Sequence, residues 1–242
     1  MKARRVKKLD PAGPLVENAA RIIKTRVDEL RSFAPAALEP AAEREQHDMR
    51  IAAKRLRYVL EATEELFGRP AKTARRRARD LQEILGEVHD CDVMLPRVDT
   101  HRAELRARDV AAVRGRAAGA ADLDPQLASR APRRTAYRGL ETLAVYLAAR
   151  RRVLFERFVG FWAEQESAGT WERLERAADR KLREARERRR AAERAAEAQR
   201  RLAEAERAER EAADRARQAA AQLAEARRAQ DGSTDPIPSR EA

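Results

Sequence analysis

His47, Arg50, Lys54 and Arg57 are separated by three, four and three residues. At about 100° per residue this spacing gathers them into one narrow arc of a helix surface. Lys72, Arg75, Arg76 and Arg79 repeat the design further along the chain. An arginine fork donates two parallel hydrogen bonds to neighbouring phosphate or carboxylate oxygens, whereas lysine acts as a point charge. His47 adds a donor whose charge varies near neutral pH. The chemistry these types support is the capture of an anion with closely spaced charges. A solvated helix face usually mixes signs, because each like-charge pair at this spacing costs about 0.2–0.5 kcal/mol. Four cations in one arc therefore predict a compensating anion, although Asp48 and Glu61 dilute the field.

Other chemistries find less support. There is no glycine-rich phosphate loop, no pair of carboxylates set apart from basic neighbours, and no Ser–His or Cys–His pairing at a supporting spacing. A non-catalytic protein with no cofactor is the expectation. His89, Asp90 and Asp92 lie close together, but consecutive residues at a helix break seldom converge on one ion, so a capping role is expected and no metal. The single cysteine, Cys91, excludes an internal disulfide.

The elements that must position these cations are helical. Charged residues reach 39% and aromatics only 4%, with Ala, Arg, Glu and Leu dominating, and no alternating strand pattern is present. Leu15, Ala19, Ile22, Ile23, Val27 and Leu30 mark a first helix ending near Phe33–Pro35. A second runs from about Pro40 to Phe67, stopped by Gly68 and Pro70, and buries Met49, Ala52, Ala53, Leu56, Val59 and Leu60 opposite the cationic arc. A third covers about Ala71–Val88, with Leu81, Ile84, Leu85 and Val88 at core spacing. A fourth starts at a cap near Asp90 or Asp92 and runs toward Val113. Residues 115–132 read as a broken loop, and a fifth helix extends through Leu140, Leu147, Leu154 and Phe158 to about Trp162.

The fold class is thus all-α, an antiparallel helical bundle of about five helices followed by a long C-terminal helix. The boundaries are a basic flexible tail at 1–13, the bundle at 14–168, an Ala/Arg/Glu-rich segment at 169–230 and a disordered end at 231–242. In the third of these, Ala191, Ala195, Ala198, Leu202, Ala205, Ala212, Ala216, Ala219, Leu223 and Ala226 fall on alternating steps of three and four, with Glu209 the one polar interruption of the seam. That pattern suits a thin coiled coil in a homodimer, or a solitary helix held by Glu–Arg pairs.

A net charge of +12 implies an acidic partner. Residues 1–168 carry 34 Lys/Arg against 25 Asp/Glu, and 169–242 carry 19 against 16, so the excess lies with the bundle. The basic N-terminus leads into Leu9-Asp10-Pro11 rather than an apolar run, and no window has the length of a membrane span, so a cytoplasmic protein is expected.

The stretch His47-Asp48-Met49-Arg50-Ile51-Ala52-Ala53-Lys54-Arg55-Leu56-Arg57-Tyr58 resembles the CHAD family, the conserved-histidine α-helical domain. Leu81 to Val93, with its Leu-Gly and Asp-x-Asp-Val, is similar to the family's second element, and the likeness spans about 9–178. It implies a helical bundle whose basic surface binds inorganic polyphosphate through His47, Arg50, Lys54 and Arg57, with the cations of the third helix beside them. CHAD domains commonly carry two similar halves, yet His101 is followed by Glu104 and Leu105 and repeats no motif. Either Arg133, Arg134 and Arg138 or Arg150–Arg152 supply the second half's charge, or two chains complete one site. Two other classes compete: a sequence-independent nucleic-acid-binding or nucleoid-associated protein, resting on the same charge, and a coiled-coil scaffold in which the basic bundle is incidental.

Overall fold

The computed structural model describes residues 2–231, all of whose regular elements are α-helices. They are α1 (Leu15–Ala37), α2 (Glu43–Phe67), α3 (Arg69–Arg116), α4 (Pro125–Ser129), α5 (Arg134–Ser167) and α6 (Thr170–Asp231). The chain divides into two compact units between Ala185 and Arg186. In the first, α1 packs on α2, α2 on α3 and α3 on α5, with the short α4 against α3.

The apolar periodicities become one core. Ile23, Val27 and Leu30 of α1, Met49, Ala52, Leu56 and Leu60 of α2, and Ala74, Ala78, Leu81 and Leu85 of α3 are all fully buried or nearly so. Truncating one of the leucines to alanine costs about 2–5 kcal/mol in such a setting. Pro35 does not end α1, which continues to Ala37 with Ala34 and Ala37 buried. A proline in the final turn forfeits a single intrahelical hydrogen bond, and the burial of its neighbours outweighs that loss.

Two helices expected at 71–88 and 90–113 are one continuous helix of 48 residues. The signals read as a break have other uses. Val88 and Cys91 are buried against Leu154 of α5, with Leu147 beside them. The Asp92 carboxylate, 7% exposed, is engaged by Arg151 of α5 instead of capping a helix end. Asp124 does cap, accepting a hydrogen bond of 2.9 Å from the Gln126 amide at the start of α4, within the stretch expected to be a loop. Pro96 sits inside α3, and the carbonyl oxygen of Pro96 accepts from Thr100 Oγ1 at 2.8 Å.

The bundle reaches past the expected boundary at 168. Trp171, Leu174, Ala178 and Leu182, on the first turns of α6, are buried in the same core, and the Trp162 and Trp171 rings stack at 5.9 Å. Lys24 of α1 meets Asp179 at 2.5 Å and Arg31 meets Glu172 at 2.9 Å, tying α1 to α6. The N-terminal residues are also tied. Glu29, 2% exposed, accepts from the Arg4 amide at 3.0 Å, from Arg55 at 3.0 Å and from Arg26. A buried carboxylate needs such partners to offset its lost hydration. In the second unit, residues 186–228 are exposed throughout. Residues 232–242, the greater part of the end expected to be disordered, lie outside the described residues. No described helix is long and apolar enough to cross a membrane.

Candidate anion-binding site

Gly68 alone joins α2 to α3, at a φ of 68°. A residue with a side chain is strained in that conformation, and Pro70 then starts the next helix where a missing amide costs nothing. So tight a connection forces the two helices antiparallel. The contacts follow suit: near the turn Glu65 meets Lys72 and Glu64 meets Arg75, and at the far end His47 meets His89.

The two ends of this hairpin differ in charge. Toward Gly68 three of the expected cations have partners, Lys72 Nζ–Glu65 at 2.8 Å, Arg75 Nε–Glu64 at 2.6 Å and Arg79 Nε–Glu83 at 2.9 Å, whereas Arg76 has no ion pair among the described residues. The Glu65 hydrogen bond and charge raise the Lys72 pKa. Farther along, His47, Arg50 and Lys54 have no carboxylate at ion-pairing distance among the described residues. Arg57 is intermediate, 3.7 Å from Glu61 and 4.6 Å over the Tyr58 ring. Lys54 lies 5.8 Å from the same ring, so Tyr58, half exposed, is a platform under two cations.

Four buried polar atoms on this face lack a hydrogen-bond partner: His47 Nδ1, Arg50 Nε, Arg57 Nε and Gln82 Oε1. Buried polar groups are nearly always satisfied, and these four leave three nitrogens and one acceptor oxygen open along the same pair of helices, while four more such atoms lie at the α5–α6 junction on Gln165, Glu166, Trp171 and Glu172. Arg50 runs across α3 at Gly86, where an added Cβ would stand 3.3 Å from its Nε. The His47 and His89 rings lie 4.3 Å apart. Burial first, and then the nearby charges of His89 and Arg50, lower the His47 pKa from 6.5.

The eight expected site residues therefore separate. His47, Arg50 and Lys54 line a stretch without ion pairs among the described residues, Arg57 at its edge is shared with Glu61, and Lys72, Arg75 and Arg79 are engaged by glutamates. Arg76 is exposed and borders a cavity with Thr73 and Arg77 on α3. His89, Gln82 and Gly86 also belong to the face, although the sequence suggests a capping role for His89 and offers Gln82 and Gly86 only as part of the Leu81–Val93 element. Their signal was available in the hairpin register: 75, 79, 82, 86 and 89 recur at four, three, four and three. The arginines offered for a second half serve mostly as helix ties. Arg133 holds Asp109, Arg150 reaches Glu87 and Cys91, and Arg151 holds Asp92 and Gln46. His101 is exposed and lies 3.6 Å from Glu104.

Residues 2–99 match the family model of the CHAD domain. The likeness to the CHAD domain lies in this segment, less than half of the chain. The match takes in α1, α2 and α3 as far as Asp99, and so contains every residue of the face just described. It ends within α3, short of α4, α5 and α6. No curated protein and no solved structure matches the chain. Among the described residues no group of three or more His, Cys, Asp or Glu is placed to hold a metal ion. What the α2–α3 face offers is cationic forks, a histidine pair and an aromatic platform.

Proposed function

We propose that the α2–α3 face of the matched segment binds inorganic polyphosphate, and that the protein acts by binding rather than by catalysis. The observation that carries the reading is the row of buried atoms without a hydrogen-bond partner on His47, Arg50, Arg57 and Gln82, beside Arg50 and Lys54, which have no carboxylate at ion-pairing distance among the described residues. A chain of phosphates supplies acceptors at short, regular intervals, which suits arginines repeating along a helix. Arg50 and Arg57 donate to phosphate oxygens, Lys54 contributes charge above Tyr58, and the His47–His89 pair closes the end of the face. Arg79 and Arg76 extend the path along α3, whereas Lys72 and Arg75 first have to leave Glu65 and Glu64. The setting is cytoplasmic, at polyphosphate bodies.

The test is a competition at one fixed physiological salt concentration, since every phosphate contact makes affinity fall as salt rises. Labelled long-chain polyphosphate is challenged with duplex DNA and with RNA at equal phosphate. Polyphosphate is expected to win by about tenfold or more. Equal competition by DNA or RNA would instead make the face a generic polyanion binder and favour the nucleic-acid reading.

A further inference from the structure

Beyond the matched segment, α3, α4 and the start of α5 enclose a second site of a different character. Arg106, Asp109, Val110, Val113 and Arg114 recur on α3 at one-face spacing. Together with Leu123, α4 and Tyr137 they surround an open cavity of about 500 Å³. That volume falls in the usual range for small-molecule pockets. Its wall is apolar, built by Val110, Val113, Leu123, Ala128, Ala131 and Tyr137. Val110 is 68% exposed and Leu123 51%, so two large apolar side chains stand in water beside a concavity that would shelter them.

The charge around the cavity is unevenly committed. Asp109, 4% exposed, accepts from the Arg133 amide at 3.0 Å and is paired with the Arg133 guanidinium at 3.4 Å. Arg106 lies 5.6 Å over the Tyr137 ring and 3.6 Å from Glu141, a carboxylate that Arg102 also engages. Arg114 has no ion-pair partner among the described residues. The cavity thus pairs an apolar wall with one uncommitted guanidinium.

We propose that this cavity binds a free amphiphile with one anionic head, a medium- or long-chain carboxylate, with its chain against Val110, Val113 and Leu123 and its head at Arg114. A neutral apolar molecule would leave Arg114 without a partner, and a polyanion such as polyphosphate would meet Val110, Val113 and Leu123, side chains with no hydrogen bond to donate to its oxygens. A concave lining suits a single chain better than a lipid surface, which needs apolar groups projecting outward. The site is independent of the α2–α3 face, and so is its test.

Full-length protein is titrated with the fluorescent probe 11-(dansylamino)undecanoate, followed by displacement with dodecanoate and with dodecanol. Saturable binding at one probe per chain is expected, with dodecanoate displacing about tenfold better than dodecanol because only it offers a charged acceptor to Arg114. Val110→Glu should abolish the signal and Arg114→Gln should weaken it by about tenfold. Leu123→Glu serves as a second wall variant should Val110→Glu lose its helical circular dichroism. Arg50→Gln/Lys54→Gln should leave probe binding unchanged. Binding that survives both wall variants, equal displacement by dodecanol, or association seen only with anionic phospholipid vesicles would overturn the proposal.

Discussion

The α2–α3 hairpin and the exposed run 186–228 of α6 are written in nearly the same alphabet, yet they treat charge in opposite ways. In α6 arginine meets an acid on its own helix one turn away, as in Arg189–Glu193 at 3.1 Å and Arg201–Glu197 at 2.6 Å, with both partners in water. Such pairs contribute about 0.3–0.5 kcal/mol each and ask for nothing further. In the hairpin, Arg50 and Lys54 have no such partner among the described residues and are partly buried, Arg50 against Gly86 of α3. The count of arginines does not separate the two regions. What separates them is whether a second helix removes water from the cation without supplying an acid.

The sharpest break of this comparison is a pair of triple variants. Arg50→Gln/Lys54→Gln/Arg57→Gln should weaken polyphosphate binding by about 100-fold or more, as loss of several charge-assisted bonds at roughly 1.5–3 kcal/mol each implies. Arg189→Gln/Arg200→Gln/Arg201→Gln in α6 should change it by less than about threefold, since screened, exposed charges act weakly. Titration of both at one salt concentration checks the pair, and equal losses would mean that net charge alone drives binding.

Gly86→Ala sharpens the point by separating stability from function. Alanine favours a helix by about 0.8–1.0 kcal/mol over glycine, while its Cβ, 3.3 Å from Arg50 Nε, displaces that side chain. Thermal unfolding should therefore show no loss of stability, with polyphosphate affinity down by about three- to tenfold.

A smaller effect comes from pH. Because the folded His47 pKa lies below 6.5, the unfolded chain binds more protons there, and this contribution to stability is present above 6.5 and lost as the pH falls below it. A bound polyanion offsets the repulsion from His89 and Arg50, so binding takes up protons and affinity rises over the same interval. Titrations at about pH 5.5 and about pH 7.5 should show the rise, flattened in His47→Gln. An unchanged slope in that variant would remove the histidine from the site.

The smallest change is expected for Lys72→Gln and Arg75→Gln, within about twofold each, since Glu65 and Glu64 already hold them. Ending the chain at Ala185 should likewise leave polyphosphate binding within about twofold. Light scattering on that chain and on the full one decides whether the alanine seam of 186–228 is a coiled coil or a solitary helix: loss of a dimer gives the first reading, two monomers the second.

Periodicity made α1, α2 and the buried faces of α2 and α3 legible, because their apolar residues recur at helical steps and Gly68 with Pro70 marks the turn. The same kind of signal misled at His89–Asp92, where an aspartate that suits a cap instead pairs with Arg151, distant in sequence and adjacent in space. His89 and Gln82 were hidden for a related reason. Neither belongs to a cationic run, and each gains its meaning only from what the antiparallel register lays across from it. Which cations are neutralised was equally invisible, since Glu64 and Glu65 reach Arg75 and Lys72 only once the hairpin closes.

That closure has a consequence for how the protein comes to be. With one residue between α2 and α3, the pairs 65–72, 64–75 and 47–89 stand at growing separation along the chain, outward from Gly68. Contacts that begin between near neighbours demand little loop entropy and are reached quickly. The face of His47, Arg50 and Gln82 is therefore encoded within a short stretch of chain, and during synthesis it can assemble before α5 and α6 have been made.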